Sequence, residues 1–77
     1  MRECYVSFAS ALEIQEFVSI ATKQYFPIRV EKGTMQVNAK SIMSLFSMGF
    51  NCPLHVVLPE QADAAAFFAA VKPYMVA

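Results

Sequence analysis

The middle of the chain combines a strand, a turn and a helix start in one stretch, Val37-Asn38-Ala39-Lys40-Ser41-Ile42-Met43-Ser44-Leu45-Phe46-Ser47-Met48-Gly49. Ser41 precedes a group of apolar residues at helical spacing, which is the usual position of an N-cap residue. Gly49 stands where a glycine at C′ would end the helix. The stretch therefore predicts a short helix between these two residues, entered from a strand over residues 35–37.

The residues before this stretch predict two strands and one helix. Alternating apolar residues indicate a strand over residues 4–8 and another over residues 26–30. Glu31-Lys32-Gly33-Thr34 is typical of a turn, so the second and third strands should form a hairpin. Ser10 and Glu13 have the spacing of a capping box, and apolar residues follow at helical spacing. We therefore predict a helix from residue 11 to residue 23 or 24.

The residues after the stretch predict a fourth strand and a last helix. The strand covers residues 54–58, and Pro59-Glu60 should open an alanine-rich helix that Pro73 ends. The predicted order is βαββαβα. This order favours an α+β fold, an open-faced two-layer sandwich in which three helices cover one face of a four-stranded, mainly antiparallel sheet. The other face should expose Tyr5, Ser7, Arg29, Glu31, Gln36, His55 and Val57.

Length and composition restrict the function. The 77 residues suffice for a single domain, residues 1–77. The charges balance, with six basic and six acidic residues, so we expect neither nucleic acid nor a membrane surface as a partner. The longest apolar run has eight residues, against about 20 for a membrane span. No export signal is evident and two cysteines form no disulfide framework, so we expect a cytoplasmic protein.

Few side chains suit a metal site or catalysis. Cys52 and His55 have a three-residue spacing, but in a strand an odd offset points two side chains to opposite faces. Further ligands are too few, so we predict no metal and no cofactor. Cys4 should be a small core residue. A nucleophile needs a base nearby, and with a single histidine in the chain we predict that the protein is not an enzyme.

Residues 37–49 resemble the segment around the regulatory serine of HPr, the histidine-containing phosphocarrier of the bacterial sugar phosphotransferase system. The family pattern there is Val-Asn-(Ala/Leu)-Lys-Ser-Ile-Met-Gly-(Leu/Val)-Met-Ser-Leu-Gly. The predicted order of elements and the length are also similar to those of the family. The resemblance implies an HPr-like fold over the whole chain, and protein partners drawn from phosphotransferase-system enzymes, a serine kinase or a transcription regulator.

The resemblance fails where the family carries its phosphoryl group, in the pattern Gly-(Ile/Leu)-His-Ala-Arg-Pro. Counting back from Ser41 without a gap places Ser10 at the histidine position, Leu12 at the arginine and Glu13 at the proline. Ser10 is thus a degenerate active-site position, either a substitute acceptor or, as we favour, a plain helix cap. Negative charge in the first turns of the helix would also repel a phosphoryl group.

The matched segment implies two further roles. Ser41 is a candidate phosphorylation site, with Lys40 beside it, and its alternative role is a structural N-cap. The surface of the short helix docks partner proteins in the family, and its alternative role is core packing. We assign partner binding to Lys40, Ile42, Met43, Phe46, Met48 and Phe50. Of these, we expect at least partial exposure of Ile42, Met43, Phe46 and Phe50.

These observations favour a regulatory or protein-binding module that is related to the phosphotransferase system and does not carry phosphate on histidine. One alternative is a phosphocarrier with an unconventional acceptor, Ser10 or His55. Another is a structural homodimer, because a sheet face that bears Tyr5 and Val57 is apolar enough to associate.

Overall fold

The computed structural model of the chain describes residues 2–60 and 62–76. Along the chain the elements are the strand β1 (Arg2–Val6), the helix α1 (Ala11–Thr22), the strands β2 (Arg29–Lys32) and β3 (Met35–Asn38), the helix α2 (Ile42–Phe46), the strand β4 (Leu54–Leu58) and the helix α3 (Ala65–Val71), which continues as a 3₁₀ turn (Lys72–Tyr74). The predicted order βαββαβα is confirmed.

The four strands form one antiparallel sheet in the order β1-β4-β2-β3. In β4 the residues Leu54, Val56 and Leu58 are buried, whereas His55 and Val57 between them lie on the open face. The open face carries two cross-strand rows, Glu3–Val57–Arg29–Asn38 and Tyr5–His55–Glu31–Gln36. The predicted α+β sandwich with one exposed sheet face is therefore confirmed.

The core lies between the sheet and the helices. From α1 it takes Ile14, Phe17 and Ala21, which recur on one side of the helix. The Phe17 ring lies 5.1 Å from that of Phe8 and 6.0 Å from that of Phe67, measured between centroids. Aromatic contacts therefore connect the segment after β1, the helix α1 and the helix α3 in a single cluster.

Three predicted boundaries are wrong. The first strand spans Arg2–Val6 rather than residues 4–8, although Phe8 is buried as the alternation requires. The second begins at Arg29 rather than residue 26, because Pro27 has no N–H to donate to a ladder. The last helix begins at Ala65, not after Glu60; its predicted end near Val71 or Lys72 is confirmed, and Pro73 lies in the 3₁₀ turn that follows.

Two glycines mark turns that require positive φ. Gly33 has φ +59° between β2 and β3 and forms the predicted hairpin turn. Gly49 has φ +90° and follows α2, but the helix already ends at Phe46, with Ser47 at the C-cap. Gly49 was predicted at C′, but Met48 holds that position and Gly49 follows it. Among residues 2–60 and 62–76, no helix has the length and apolarity to cross a membrane.

Candidate functional site

The start of α1 and the end of α2 lie side by side. The N–H of Asn51 donates to the carbonyl oxygen of Phe8 at 2.8 Å, which joins the segment after α2 to the segment before α1. The end of α2 therefore lies near Ser10, whereas Ser41 precedes α2 and its neighbour Lys40 reaches Gln24, beyond the opposite end of α1.

The start of α1 is closed by its own side chains. The hydroxyl of Ser10 accepts a hydrogen bond from the N–H of Glu13 at 3.3 Å. The Glu13 carboxylate in turn accepts from the N–H of Ala9 at 2.9 Å. The predicted cap at Ser10 is confirmed, although the carboxylate reaches Ala9 rather than the N-cap residue itself. Two N–H groups that would otherwise face a ligand are thus satisfied within the chain.

The second acidic residue of α1 connects the helix to the end of the chain. The Tyr74 hydroxyl donates to the Glu16 carboxylate at 2.7 Å. Burial raises the pKa of Tyr74 to about 12, and the neighbouring carboxylate adds to the effect. Glu13 and Glu16 together place negative charge over the first turns of α1.

Ser41 lies at the N-cap position of α2, but its side chain does not cap the helix. Its hydroxyl pairs with that of Ser44 at 3.0 Å instead of accepting a backbone N–H. The predicted capping role of Ser41 is therefore wrong, because position N3 holds a serine that competes for the hydroxyl.

Lys40 does not direct its ammonium group at Ser41. The Nζ atom donates to the carbonyl oxygen of Gln24 at 2.8 Å, just beyond the end of α1. A cation at this position is favourable because the last carbonyl groups of a helix are unpaired. Lys40 lies beside Ser41 in the chain, but its ammonium group could reach a phosphate there only if this bond broke.

The exposed apolar residues of α2 form what we call the α2 surface: Ile42, Met43, Phe46 and Phe50. Met43 exposes 74% of its surface and Phe50 45%, while Ile42 and Phe46 are partly buried. The predicted exposure of these four residues is confirmed. Met48 is only 1% exposed and belongs to the core, so its assignment to the partner-binding set is wrong.

Leu12 is an exposed apolar residue that the sequence-based set of partner-binding residues does not contain. It lies in the first turn of α1 and exposes 62% of its surface. Its signal in the sequence is an apolar residue at the position where the family has arginine. Leu12 adds an exposed apolar side chain at the start of α1.

His55 lies on the open face of the sheet, away from the helices. Its ring stacks on Tyr5 with centroids 4.7 Å apart, and its two ring nitrogens contact the carboxylates of Glu3 and Glu31. Arg29 donates to Glu31 at 2.6 Å, and this bond is the main cause that holds the pKa of Glu31 below its ordinary value. The structure thus separates His55 from the Ser10 region.

The two cysteines differ in their surroundings. Cys4 is buried, which raises the pKa of its thiol to about 11, so the predicted core role is confirmed. Cys52 is partly exposed and its Sγ contacts the carbonyl oxygen of Met48 at 3.6 Å. The part of the chain that the structure describes contains no group of three or more metal-binding side chains.

An antiparallel sheet of order β1-β4-β2-β3, covered on one face by three helices, defines a class of small α+β proteins with one exposed sheet face. The family described as "PTS HPr component phosphorylation site" matches residues 11–75, and the chain belongs to this family. Its members are phosphocarriers rather than enzymes.

A solved structure agrees with this assignment. The crystal structure of HPr-C-His from Thermoanaerobacter tengcongensis is similar, with a TM-score of 0.78 and 28% sequence identity, and the match covers 96% of this chain and 91% of that chain. No curated protein sequence is significantly similar to the chain.

Proposed function

We propose that the chain is a regulatory or protein-binding member of the HPr family that does not carry a phosphoryl group on histidine. The observation that carries the proposal is the closed start of α1. Ser10 and Glu13 satisfy N–H groups there, and the Glu13 carboxylate stands where an anion would approach. A phosphoryl group would have to displace both contacts and would be repelled by the carboxylate.

The two alternative acceptors are less favourable. A phosphate on the Ser10 hydroxyl would be a stable ester, which is unsuited to onward transfer, and the hydroxyl is bonded within the cap. A phosphoryl group on His55 would meet the carboxylates of Glu3 and Glu31, which contact the two ring nitrogens. Both positions therefore oppose the transfer of a negatively charged group.

The α2 surface, extended by Leu12, is the docking area in this proposal. Met43 and Leu12 are the most exposed of its residues, and an unbranched methionine adapts to the shape of a partner. The partners are proteins of the phosphotransferase system, a serine kinase or a transcription regulator, in the cytoplasm of a bacterium.

Ser41 is the proposed switch for docking. Its hydroxyl is bonded to Ser44, and Ser41 itself is partly buried, two residues before the exposed Met43. Phosphorylation would replace this bond and bring about two negative charges to the margin of an apolar surface. Such a change favours a partner with arginine or lysine side chains and disfavours an apolar one.

The test is the intact mass of the protein after two incubations, with the modified residue mapped. Phosphoenolpyruvate and the first enzyme of the system should add nothing, whereas an HPr that has the histidine is labelled in parallel. ATP and an HPr-type serine kinase should add one phosphoryl group on Ser41, with Ser41→Ala and the exposed Ser47→Ala as matched controls. An acid-labile label in the first incubation would establish a phosphocarrier. No addition in the second would reject the switch.

A further inference from the structure

The two edge strands of the sheet, β1 and β3, differ in whether another segment of the chain pairs with their outer side. The C-terminal segment covers the outer side of β1 at the end of the strand, since Ser7 N–H donates to Tyr74 O and Val76 N–H to Tyr5 O, both at 2.9 Å. β3 is the last strand at the opposite edge, and no strand of residues 2–60 or 62–76 pairs with its outer side.

The register of the hairpin determines which groups β3 presents at its open edge. Ala39 N–H donates to Ile28 O at 2.9 Å, and this bond sets the alternation of the β2–β3 ladder. Val37 then exchanges hydrogen bonds with Val30, whereas Gln36, opposite Glu31, belongs to a non-hydrogen-bonded pair. The N–H and C=O of Gln36 therefore point away from the sheet.

The open edge lacks charged residues and proline, which often prevent pairing. Residues 34–38, Thr-Met-Gln-Val-Asn, contain no charged residue and no proline. Exposed edges of natural sheets are commonly protected by lysine, proline or a bulge. β3 instead leaves Met35 45% exposed and Val37 only partly buried on the helical side of the sheet.

We propose that the occupant of this edge is a second copy of the chain, paired antiparallel along β3 about a two-fold axis at Gln36. In this register the two Gln36 residues face each other and exchange both of their outward backbone hydrogen bonds. Met35 lies opposite Val37 of the second copy, and the reciprocal pair forms on the other side of the axis.

A second copy fits the edge because the strand is complementary to itself. The two apolar residues flank Gln36 symmetrically, so a single two-fold axis covers both in each copy. The paired strands bring no like charges together, and the net charge of zero adds no repulsion between the copies. The contact is short, so we expect a dimer that dissociates on dilution. This inference is independent of the role of the α2 surface.

The test uses like and opposite charges at the two-fold axis. Gln36→Lys and Gln36→Glu should each be monomeric in sedimentation equilibrium at concentrations where the natural protein is dimeric. A 1:1 mixture of the two variants should restore the dimer mass, because the opposite charges then meet. The exposed Gln15 on α1 provides the matched controls, Gln15→Lys and Gln15→Glu, which should dimerise as the natural protein does.

A second readout comes from hydrogen exchange in the natural protein. The Gln36 amide should exchange more slowly as protein concentration rises, whereas the Val37 amide, bonded to Val30 in each copy, should not change. A monomer at all concentrations would overturn the proposal. A dimer that persists in both Gln36 variants would also overturn it. The same holds if the natural protein forms no dimer and an unrelated extended peptide protects the Gln36 amide.

Discussion

Ser10 contributes to stability because its hydroxyl satisfies an N–H group at the start of α1. We expect Ser10→Ala to lower the free energy of unfolding by about 1 kcal/mol, the usual cost of losing a cap. Ser19→Ala, an exposed position inside the same helix, should keep or raise the denaturant midpoint. Equal losses in the two variants would mean that the cap contributes nothing specific.

At the same scale, the sequence predicted one serine cap correctly and one incorrectly. Ser10 has a glutamate three residues later, and the carboxylate leaves the hydroxyl free to accept the helix N–H. Ser41 has Ser44 at that position, and the two hydroxyls pair with each other. Met48 was misplaced for another reason: it follows the helix, where helical spacing no longer determines which side chains are buried.

Tyr74 links two elements, since its hydroxyl joins the C-terminal 3₁₀ turn to Glu16 of α1. Its pKa rises from 10.0 to about 12 in the folded protein, so folding favours the protonated phenol. The resulting stability is fully present below pH 10 and is lost as the pH rises through about 12. Tyr74→Phe should remove this contribution to the loss of stability at alkaline pH.

The measurement is the denaturant midpoint of the natural protein and of Tyr74→Phe between pH 8 and pH 12. The difference between the two should shrink as the pH rises. Tyr25→Phe is the control, because Tyr25 exposes 83% of its surface and should show the same alkaline decline as the natural protein. A constant difference across the pH range would contradict a role for the Tyr74 phenol.

The type and order of the elements were predictable because apolar spacing reflects burial. Phe26, Ile28 and Val30 alternate into the core as predicted, yet the strand begins only at Arg29. The alternating burial therefore begins before the hydrogen-bonded ladder does, because Pro27 has no N–H to donate to the ladder. The start of α3 was missed for a related reason: Ala64 at its N-cap makes no side-chain cap, so the sequence contains no start signal.

At the scale of the whole molecule, Phe17 connects α1 to the segment after β1 through Phe8 and to α3 through Phe67. Phe17→Ala should lower the free energy of unfolding by about 3–5 kcal/mol, because a fully buried ring leaves a cavity. Leu12→Ala, on the exposed side of the same helix, should change it by less than about 0.5 kcal/mol. Chemical denaturation measures both, and similar losses would show that Leu12 is a core residue rather than part of a docking area.

The separation of core and docking residues was only partly predictable from the sequence. Met43, Leu45 and Met48 are all apolar and close together in the chain, yet their exposures are 74%, 0% and 1%. The difference depends on how α2 lies against the rest of the protein, which residue types and spacing over so few turns do not determine.

The unequal edges of the sheet also limit how far association can proceed. When two copies join along β3, the eight-stranded sheet that results has β1 at both ends, and residues 74–76 of the same chain already cover each β1 from Tyr5 onward. Only the short stretch of β1 before Tyr5 is left for a third copy. Because so short an edge pairs weakly, we expect association to stop at the pair, and a concentrated solution of the folded protein should not polymerise into fibres through this sheet.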